Sequence, residues 1–502
     1  MHKIKSMGKC LGVLALLGVP SLSWAENPRY IVKFTPGKAG QVKQSLGALG
    51  GDIALELKRQ HAVAVRLPEQ ALQGLSHNPN IEYIEADEKR EYMLQTTPYA
   101  LPMLQADRVS DALASNMTLC IMDTGFDINH EDFAGVRVTG SSDPEAGDWW
   151  QDPQGHGSYM SGAAIAMNND LGVKGALPNG QLNLHFHRMP DGVWSSAVTY
   201  GIEQCLAAGA NVISMSFAGS ASKTEQAAMA DAYNGGVLLF ASSGNGGDTK
   251  RLYPASYEEV ISIGAVDQDK QHASYSNRTG QVELVAPGSY VLGVAAQGTG
   301  RLAKVSSVAG SYEAMPTLLA PDAAATGTLT DCGNAKKLCE GAEGKICLIN
   351  TAKTDATKGV QNCQSGGGVG ALIYNDSQNV FAGNAKVQPD AVSIPVANIS
   401  DATAQGLAGQ LSLTLTMENY PDNYTRAYGT SISSPLAAGV AALVWSHHPG
   451  CSNLDIRAAL AATAEDLGVV GRDDSYGFGL VQAEAAKHYL DSGCEGTPLV
   501  LP

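Results

Sequence analysis

Three short strings in this chain place a carboxylate, an imidazole and a hydroxyl in a fixed order. They are Ile121-Met122-Asp123-Thr124-Gly125, Gly155-His156-Gly157 and Gly429-Thr430-Ser431, the last followed by Pro435. A buried carboxylate can hold an imidazole in one tautomer, and that imidazole can take the proton of a serine hydroxyl, which is a poor nucleophile by itself. Unrelated folds that carry these three groups carry them in different chain orders. The order Asp, His, Ser therefore restricts the fold more than any other feature of the sequence.

The local setting of each of the three residues fits such a site. An apolar run over residues 117–122 leads into Asp123, and the end of a strand holds a carboxylate rigidly. Glycines flank His156, which we expect to let a substrate backbone come close. Ser431 opens a long apolar helix, where unpaired N–H groups and the helix dipole favour a developing oxyanion.

A fourth string, Ser242-Ser243-Gly244-Asn245, follows an apolar run over residues 236–241. The side-chain amide of Asn245 is the donor that an oxyanion hole needs. Taken one at a time, the alternative is a turn aspartate, a core histidine and a helix-capping serine. The four motifs in this order favour the catalytic interpretation.

On these four motifs the chain resembles the subtilisin-like serine proteases, or subtilases, from residue 26 to about residue 490. The resemblance implies an α/β subtilisin-like three-layer fold with a mostly parallel central sheet. It implies that Asp123, His156 and Ser431 form a catalytic triad and that Asn245 is the oxyanion donor. It also implies an endopeptidase that hydrolyses peptide bonds in proteins through an acyl-enzyme on Ser431.

The same resemblance implies two walls that hold an extended substrate and its P1 side chain. The walls are Ser216-Phe217-Ala218 and Ser242-Ser243-Gly244. One wall is expected to bind substrate by strand addition, which uses backbone hydrogen bonds. Leu252 is expected to narrow the floor of the pocket. Because no acidic side chain is evident at the pocket, we expect broad cleavage after apolar residues rather than after Arg or Lys.

Two segments rich in oxygen donors suggest a bound calcium ion, because hard cations are held by several oxygens. One is the loop of residues 167–173 and the other is residues 129–132. The alternative is a plain loop beside a solvated aspartate. The ion would act on stability and not on catalysis. By resemblance to the strong calcium site of subtilases, the ligands would be the side chains of Gln95, Asp132 and Asn169 and the carbonyls of Leu171 and Val173.

Residues 1–25 have the pattern of a secretory signal peptide. Three lysines precede an apolar run over residues 11–19, and Ser23-Trp24-Ala25 is a small-residue cleavage site. The run is too short to span a membrane. We therefore expect a soluble protein that is secreted to the extracellular space.

Residues 26–93 have strand and helix patterns of their own, with strands predicted over residues 30–34, 62–67 and 81–87. This segment resembles the inhibitor-type propeptide of subtilases, a small α+β domain that assists folding and then blocks the cleft. The alternative is an N-terminal domain that stays attached. We expect self-processing near Met93-Leu94, with the cut falling between residues 91 and 97.

The stretch between Asn245 and Ser431 is longer than the core of these proteases needs. Within it, residues 344–349 followed by 370–375 resemble the protease-associated (PA) domain, a small β-rich insert. Such an insert is expected to extend the cleft and steer protein substrates, and a plain structural spacer is the alternative. The predicted domain boundaries place residues 94–299 and 419–495 in the catalytic domain, 300–418 in the PA-like insert and 496–502 in a tail.

Eight of the nine cysteines lie beyond the leader, and an even number in an exported chain implies disulfides. Cys451 and Cys494 bracket the last predicted helices and are expected to pair, and elimination then leaves Cys120 for Cys205. The sequence does not determine how the four cysteines over residues 332–363 pair. A metal site there would need cysteines more closely spaced.

The chain is acidic, with a net charge of −16. The leader carries three lysines and residues 26–93 are neutral, so the remainder carries −19. Because phosphates are captured by Lys and Arg, this charge argues against nucleic acids and anionic membranes as partners. We expect a monomer that acts on protein and peptide substrates. Two other functions stay open: a secreted binding or colonisation protein with an inert triad, and a peptide ligase that uses the same acyl-enzyme.

Overall fold

The computed structural model describes residues 28–68, 70–75, 78–87, 95–317, 319–375, 387–388 and 391–494. The chain divides into two compact units, Met1–Tyr92 and Met93–Pro502. The expected signal peptide, the processing site at Met93-Leu94 and the tail lie outside the described residues. In the part of the chain that the structure describes, every helix is too short or too polar to cross a bilayer.

The first unit is a small antiparallel sheet with two helices. Its elements are β1 (Arg29–Phe34), α1 (Ala39–Ala48), β2 (Asp52–Leu57), β3 (Ala62–Arg66), α2 (Gln70–Leu75) and β4 (Ile81–Ala86). The strand order is β2-β3-β1-β4. Alternate residues of β1, namely Tyr30, Val32 and Phe34, are buried against Val42 and Leu46 of α1. This period of two is the pattern of a strand with one face on a core.

The centre of the second unit is a parallel sheet. Among the described residues its seven strands are β5 (Thr118–Asp123), β6 (Arg137–Ser142), β7 (Asn183–Arg188), β8 (Val212–Met215), β9 (Leu238–Ser242), β10 (Val260–Val266) and β11 (Val282–Pro287). The order is β11-β10-β9-β8-β5-β7-β6, and each neighbouring pair is parallel. β8, β9 and β10 are mostly apolar and are buried along their whole length, as strands covered on both faces are. The predicted mostly parallel sheet is confirmed.

Helices cover both faces of this sheet. The first four are α3 (Ala100–Met103), α4 (His156–Ile165), α5 (Ser195–Ala207) and α6 (Lys223–Asn234). Leu119 and Ile121 of β5 pack in one apolar cluster with residues of α4, whereas Met122 packs in a second cluster with residues of α5 and α6. The predicted disulfide between Cys120 and Cys205 joins β5 to α5. The three-layer arrangement follows from this division of the core into two clusters.

A further sheet follows β12 (Val291–Val294) and ends just before β21 (Tyr424–Ala427), which pairs antiparallel with β12. We call residues 300–422 the insert. Its elements are β13 (Gly300–Ser307), β14 (Gly310–Tyr312), β15 (Met315–Pro316), β16 (Ala324–Asp331), β17 (Ile346–Asn350), α7 (Ala356–Ser365), β18 (Gly370–Tyr374), β19 (Val396–Asn398), α8 (Asp401–Ala408) and β20 (Thr414–Asp422). The strand order is β14-β13-β20-β16-β17-β18-β19-β15. The boundary expected at residue 418 falls inside β20.

Two disulfides lie in the insert, where the sequence had left the pairing open. They join Cys332 to Cys339 and Cys347 to Cys363. Since the sulfurs of Cys332, Cys339 and Cys347 lie close together but are all oxidised in these bonds, they are not free to act as thiolate ligands for a metal.

The last helices are α9 (Thr430–His447), α10 (Asn453–Ala462) and α11 (Ala483–Leu490). α9 is apolar on all sides and buried, as a helix in the centre of a large core is. The predicted disulfide between Cys451 and Cys494 ties the start of α10 to the chain after α11. Pro435 lies inside α9 and has no N–H, so the carbonyl of Ser431, four residues earlier, has no donor within the helix.

Candidate active site

Asp123 and His156 meet at the carboxyl end of β5. Asp123 is the last residue of β5 and its side chain is 3% exposed. Its Oδ1 atom accepts a hydrogen bond from the Thr124 N–H at 2.7 Å and lies 2.7 Å from His156 Nδ1. The carboxylate of Asp123 raises the pKa of His156, and burial opposes that effect to a smaller extent. The pair can thus hold one ring nitrogen while the other stays available as a base.

Gly157 lies where the first turn of α4 meets the chain that follows β5. A Cβ atom at Gly157 would lie 2.1 Å from the carbonyl oxygen of Gly125. The first turn of α4 therefore packs directly on the chain that follows β5, and any side chain at this position would push His156 away from Asp123. Gly155, before the helix, has a φ of +77°, which glycine adopts at little cost. The close approach that these glycines permit joins the segments that carry Asp123 and His156.

Asp152 holds the start of α4 and was not identified from the sequence. Its carboxylate accepts hydrogen bonds from the Gly155 N–H at 2.9 Å, the Ser158 N–H at 2.7 Å and the Thr124 hydroxyl at 2.9 Å. Burial raises the pKa of this carboxyl. An aspartate just before a predicted helix is the sequence signal that could have revealed this capping role.

Ser431 lies in the first turn of α9, and its main chain is held from the sheet. The Ser216 hydroxyl, just past the end of β8, donates to the Ser431 carbonyl at 2.8 Å. This is the carbonyl that Pro435 leaves without a helical donor. Ser216, predicted as part of a substrate wall, thus also fixes the backbone of the candidate nucleophile.

Asn245 points its amide nitrogen towards the same place as the Ser431 hydroxyl. Its Oδ1 atom accepts from the N–H and the hydroxyl of Thr430, both at 2.9 Å, so the Nδ2 atom is left to donate. A Cβ built on Gly429 would lie 2.8 Å from Ser431 Oγ and 3.3 Å from Asn245 Nδ2. The hydroxyl and the amide donor therefore face a common space beside Gly429. Sequence reasoning missed Thr430, although a hydroxyl residue at the start of a helix was the available signal.

The two predicted walls follow the carboxyl ends of β8 and β9, which are neighbours in the sheet. Ligands of open parallel sheets bind outside these strand ends. Ser242 and Ser243 are buried, Phe217 is partly buried in the second apolar cluster, and Ala218 is exposed.

Leu252 contacts the second wall. A Cβ at Gly244 would lie 2.5 Å from Leu252 Cδ1, so the leucine side chain packs on the bare α-carbon of this glycine. Gly219 follows the first wall and Tyr253 follows Leu252. Two backbone hydrogen bonds of 2.7 and 3.1 Å join these two residues.

The predicted calcium ligands also come together. Gln95 Nε2 lies 3.2 Å from Asn169 Oδ1 and 3.1 Å from the Val173 carbonyl, and it also contacts the carbonyl of Met167. Asp132 Oδ2 accepts from the Val173 N–H at 2.9 Å. The Met167 carbonyl was not among the predicted ligands, since the resemblance implied carbonyl ligands only at Leu171 and Val173.

These groups fit a cation. Gln95 Oε1 and Asp132 Oδ1 are buried without a hydrogen-bond partner, and Asp132 is fully buried. Burial raises the pKa of the Asp132 carboxyl. The Gln95 amide nitrogen lies close to three further oxygens, those of Met167, Asn169 and Val173, so acceptors outnumber donors in the cluster. Leu171 also contacts this cluster, through its N–H, which donates to Asn169 Oδ1 at 3.0 Å.

Comparisons with known proteins identify the family and the fold of the chain. The model of the peptidase S8 subtilase family matches residues 114–367 and 376–479. Subtilisin E of Bacillus subtilis (strain 168) is 29% identical over 274 residues, which are 52% of this chain and 71% of the relative. Subtilisin DY of Bacillus licheniformis is 34% identical over 205 residues, 39% of this chain and 73% of the relative.

A solved structure is similar over a larger part of the chain. The crystal structure of the psychrophilic subtilisin-like protease Apa1 from the Antarctic psychrotroph Pseudoalteromonas sp. AS-11 has a TM-score of 0.68 and is 36% identical to this chain. The match covers 80% of this chain and all of the other.

Proposed function

Because this chain belongs to the subtilase family of serine proteases, we propose that it is a secreted endopeptidase that cuts peptide bonds in proteins through an acyl-enzyme on Ser431. One observation carries the proposal. Ser431 Oγ and Asn245 Nδ2 lie 2.8 and 3.3 Å from the same point beside Gly429, in a chain whose Asp123 and His156 are 2.7 Å apart.

In this mechanism Ser431 Oγ attacks the carbonyl carbon of the scissile bond while His156 Nε2 takes the hydroxyl proton. The Asp123 carboxylate stabilises the imidazolium that forms. The substrate carbonyl oxygen becomes an oxyanion and accepts a hydrogen bond from Asn245 Nδ2. His156 then gives its proton to the leaving amine as the C–N bond breaks. A water molecule, deprotonated by His156, hydrolyses the ester on Ser431 and restores the hydroxyl.

Labelling by a fluorophosphonate tests this chemistry, because the probe reacts with an activated serine and needs no knowledge of the substrate. We expect the wild-type protein and Ser196→Ala, a change at an exposed serine of α5, to be labelled and to digest casein. Ser431→Ala should be neither labelled nor active. A wild-type protein that folds but is not labelled would show an inert triad, as in a binding protein. Labelling with net peptide joining in place of hydrolysis would indicate a ligase.

The same variant tests processing. The first unit would act as an inhibitor-type propeptide and intramolecular chaperone for the second, released near Met93-Leu94 after the signal peptide is removed at Ala25. Produced in a protease-free host, the Ser431→Ala precursor should stay uncut while Ser196→Ala matures. Normal maturation of Ser431→Ala would refute self-processing.

The substrate pocket would accept apolar P1 side chains, bounded by Ser216-Phe217-Ala218, Ser242-Ser243-Gly244 and Leu252. The packing of Leu252 on Gly244 supports a floor that favours small and medium-sized apolar side chains. The carboxyl ends of β8 and β9 supply backbone groups that an extended peptide can pair with.

A calcium ion would be held by Gln95, Asp132, Asn169 and the carbonyls of Met167 and Val173, with Leu171 as a further carbonyl ligand. The unpaired oxygens of Gln95 and Asp132 support this assignment. Such an ion supplies positive charge that offsets buried carboxylate and carbonyl oxygens. It would stabilise the fold, since none of these groups contacts Ser431.

The insert would act as a PA-like domain that extends the cleft and steers protein substrates. Its position supports the idea, because β13 and β20 continue the strand pair β12 and β21, and β21 ends four residues before Ser431.

A further inference from the structure

The turn that presents Ser431 is held by a tyrosine hydroxyl from outside the predicted triad. The Gly429 N–H donates to the Gly288 carbonyl at 2.8 Å and lies 3.2 Å from Tyr275 Oη. Tyr275 Oη in turn donates to the same Gly288 carbonyl at 2.6 Å. The hydroxyl thus accepts from one chain segment and donates to the other, so it fixes the distance between them. We infer that Tyr275 is a positioning residue that holds Gly429 so that Ser431 and the oxyanion donor stay aligned.

Gly429 is the point where such positioning would have its effect. Its φ of +149° is adopted at low cost by glycine but not by other residues. Because glycine has no side chain to pack, backbone hydrogen bonds hold Gly429 in place. The next N–H, that of Thr430, donates to Asn245 Oδ1 at 2.9 Å. A shift of Gly429 would therefore move the Ser431 hydroxyl and turn the Asn245 amide together. Catalysis by preorganised donors is sensitive to such small displacements.

Tyr275 is itself well anchored. Its ring lies 5.5 Å from that of Tyr428, and its hydroxyl is 3.0 Å from Ser289 Oγ. The Gly288 segment that it binds is packed against α9, since a Cβ on Gly288 would lie 2.5 Å from Ser433 Oγ. Burial raises the pKa of Tyr275, so the hydroxyl stays protonated and able to donate. No polar motif in the sequence marks this residue.

The test rests on the proposed function and compares two phenylalanine variants. Tyr275→Phe keeps the ring and removes the hydroxyl at Gly429. Tyr99→Phe is the matched control, because the Tyr99 hydroxyl donates to the Ser289 carbonyl of the same loop at 2.5 Å and not to Gly429. We expect Tyr275→Phe to lower kcat on a peptide substrate by about three- to tenfold, the size of one hydrogen bond, with KM within about twofold. Tyr99→Phe should retain the wild-type kcat.

A purely structural role would not produce the next two results. A peptide aldehyde, whose adduct places an oxyanion beside Asn245, should bind Tyr275→Phe more weakly by the same factor as kcat falls. In an Asn245→Ala background the loss caused by Tyr275→Phe should largely disappear, because both changes act on one group. Equal kcat for the two tyrosine variants would overturn the proposal. So would a double variant whose loss of kcat is the product of the losses caused by Tyr275→Phe and Asn245→Ala alone.

Crystal structures separate this proposal from the proposed function. Tyr275→Phe should show Gly429 displaced from its wild-type position relative to Asn245, whatever the activity of the protein. An unmoved Gly429 would refute the positioning role. A wild-type protein that is never labelled by a fluorophosphonate would refute the protease function, and the position of Gly429 in the Tyr275→Phe crystal structure would still decide the positioning role.

Discussion

His187 is a fully buried titratable side chain in β7, where it lies opposite Met122 of β5. Burial lowers its pKa to about 4, and the neighbouring His185 adds to the effect. Its Nδ1 atom lies 2.9 Å from the Ser141 hydroxyl, and its Nε2 atom is buried without a partner. Asp143 is the acidic group that opposes the shift.

This gives a prediction for acid stability. Because the folded pKa lies below the unfolded value of about 6.5, the unfolded state takes up the proton more readily, and stability present above pH 6.5 is lost as the pH falls towards 4. The loss in the free energy of unfolding from His187 is at most about 3 kcal/mol. We expect the melting temperature of His187→Gln to fall less than that of the wild type when the pH is lowered from 7.5 to 4.5. The control His488→Gln, at a side chain that is 65% exposed, should follow wild type. An unchanged acid slope for His187→Gln would contradict the prediction.

Leu252 gives a second prediction at this scale, for specificity. Leu252→Gly removes the side chain that packs on Gly244 and should deepen the pocket. The ratio of kcat/KM for P1 Phe over P1 Ala should rise about tenfold, measured with peptides that differ only at P1. Val470→Gly, at a side chain that is 94% exposed, should leave the ratio unchanged. A ratio that stays constant in Leu252→Gly would mean that Leu252 does not form the floor.

Single residues also show where sequence reasoning stopped. Asp123, His156, Ser431 and Asn245 could be proposed because their side chains perform chemistry that only a few residue types can perform. Asp152 and Thr430 act through hydrogen bonds to backbone and amide groups, which many aspartates and threonines make elsewhere. Their roles depend on which group lies opposite, and residue type does not encode that.

At the scale of elements, strand ends and helix starts were predictable. β5 was expected over residues 117–122 and lies at Thr118–Asp123, and the helix that begins at the candidate nucleophile is α9. Continuous apolar runs flanked by glycine carry a strong signal for buried strands and helices. The loop of residues 167–173 was predicted as rich in oxygen, but its backbone path decides that Met167 and Val173 turn carbonyls towards Gln95.

That loop gives a stability prediction. Chelation by EDTA should lower the melting temperature of the wild-type protein by roughly 5 °C, because an ion bound only to the folded state stabilises it by mass action. Asp132→Asn should melt lower than wild type from the start and respond little to EDTA. Asp170→Asn changes an exposed carboxylate of the same loop and should respond as wild type does. A wild-type protein that is insensitive to EDTA would argue against the ion.

At the scale of the whole molecule, the insert is joined to the core through two adjacent strands. Gly300 pairs with Asp422, so residues 299 and 423 lie next to each other and a short turn can connect them. Tyr290 of the core also bonds the Ala314 N–H and carbonyl of the insert through its hydroxyl, both at 3.0 Å.

Excision of the insert tests its role. Replacing residues 300–422 with Asn-Gly should give a folded protein that still reacts with a fluorophosphonate, because the strand pair β12 and β21 keeps its register. Hydrolysis of a short peptide should stay within about tenfold of wild type, whereas digestion of casein should fall further, by an additional factor of about ten. Equal changes for peptide and casein would identify the insert as a spacer. The melting temperature of the shortened protein serves as the folding control.

The sequence by itself determined the chain order of the chemical groups, the parallel α/β core that this order implies, the two disulfides of the core and the acidic character of the protein. These follow from residue types and local patterns. Only the tertiary structure decided that Gly157 lies against the Gly125 carbonyl, that the Met167 carbonyl faces Gln95, and that the Gly429 N–H donates to the Tyr275 hydroxyl. In each case one partner is a backbone group, identical in every residue, and its direction is set by the packing of segments that are far apart in the chain.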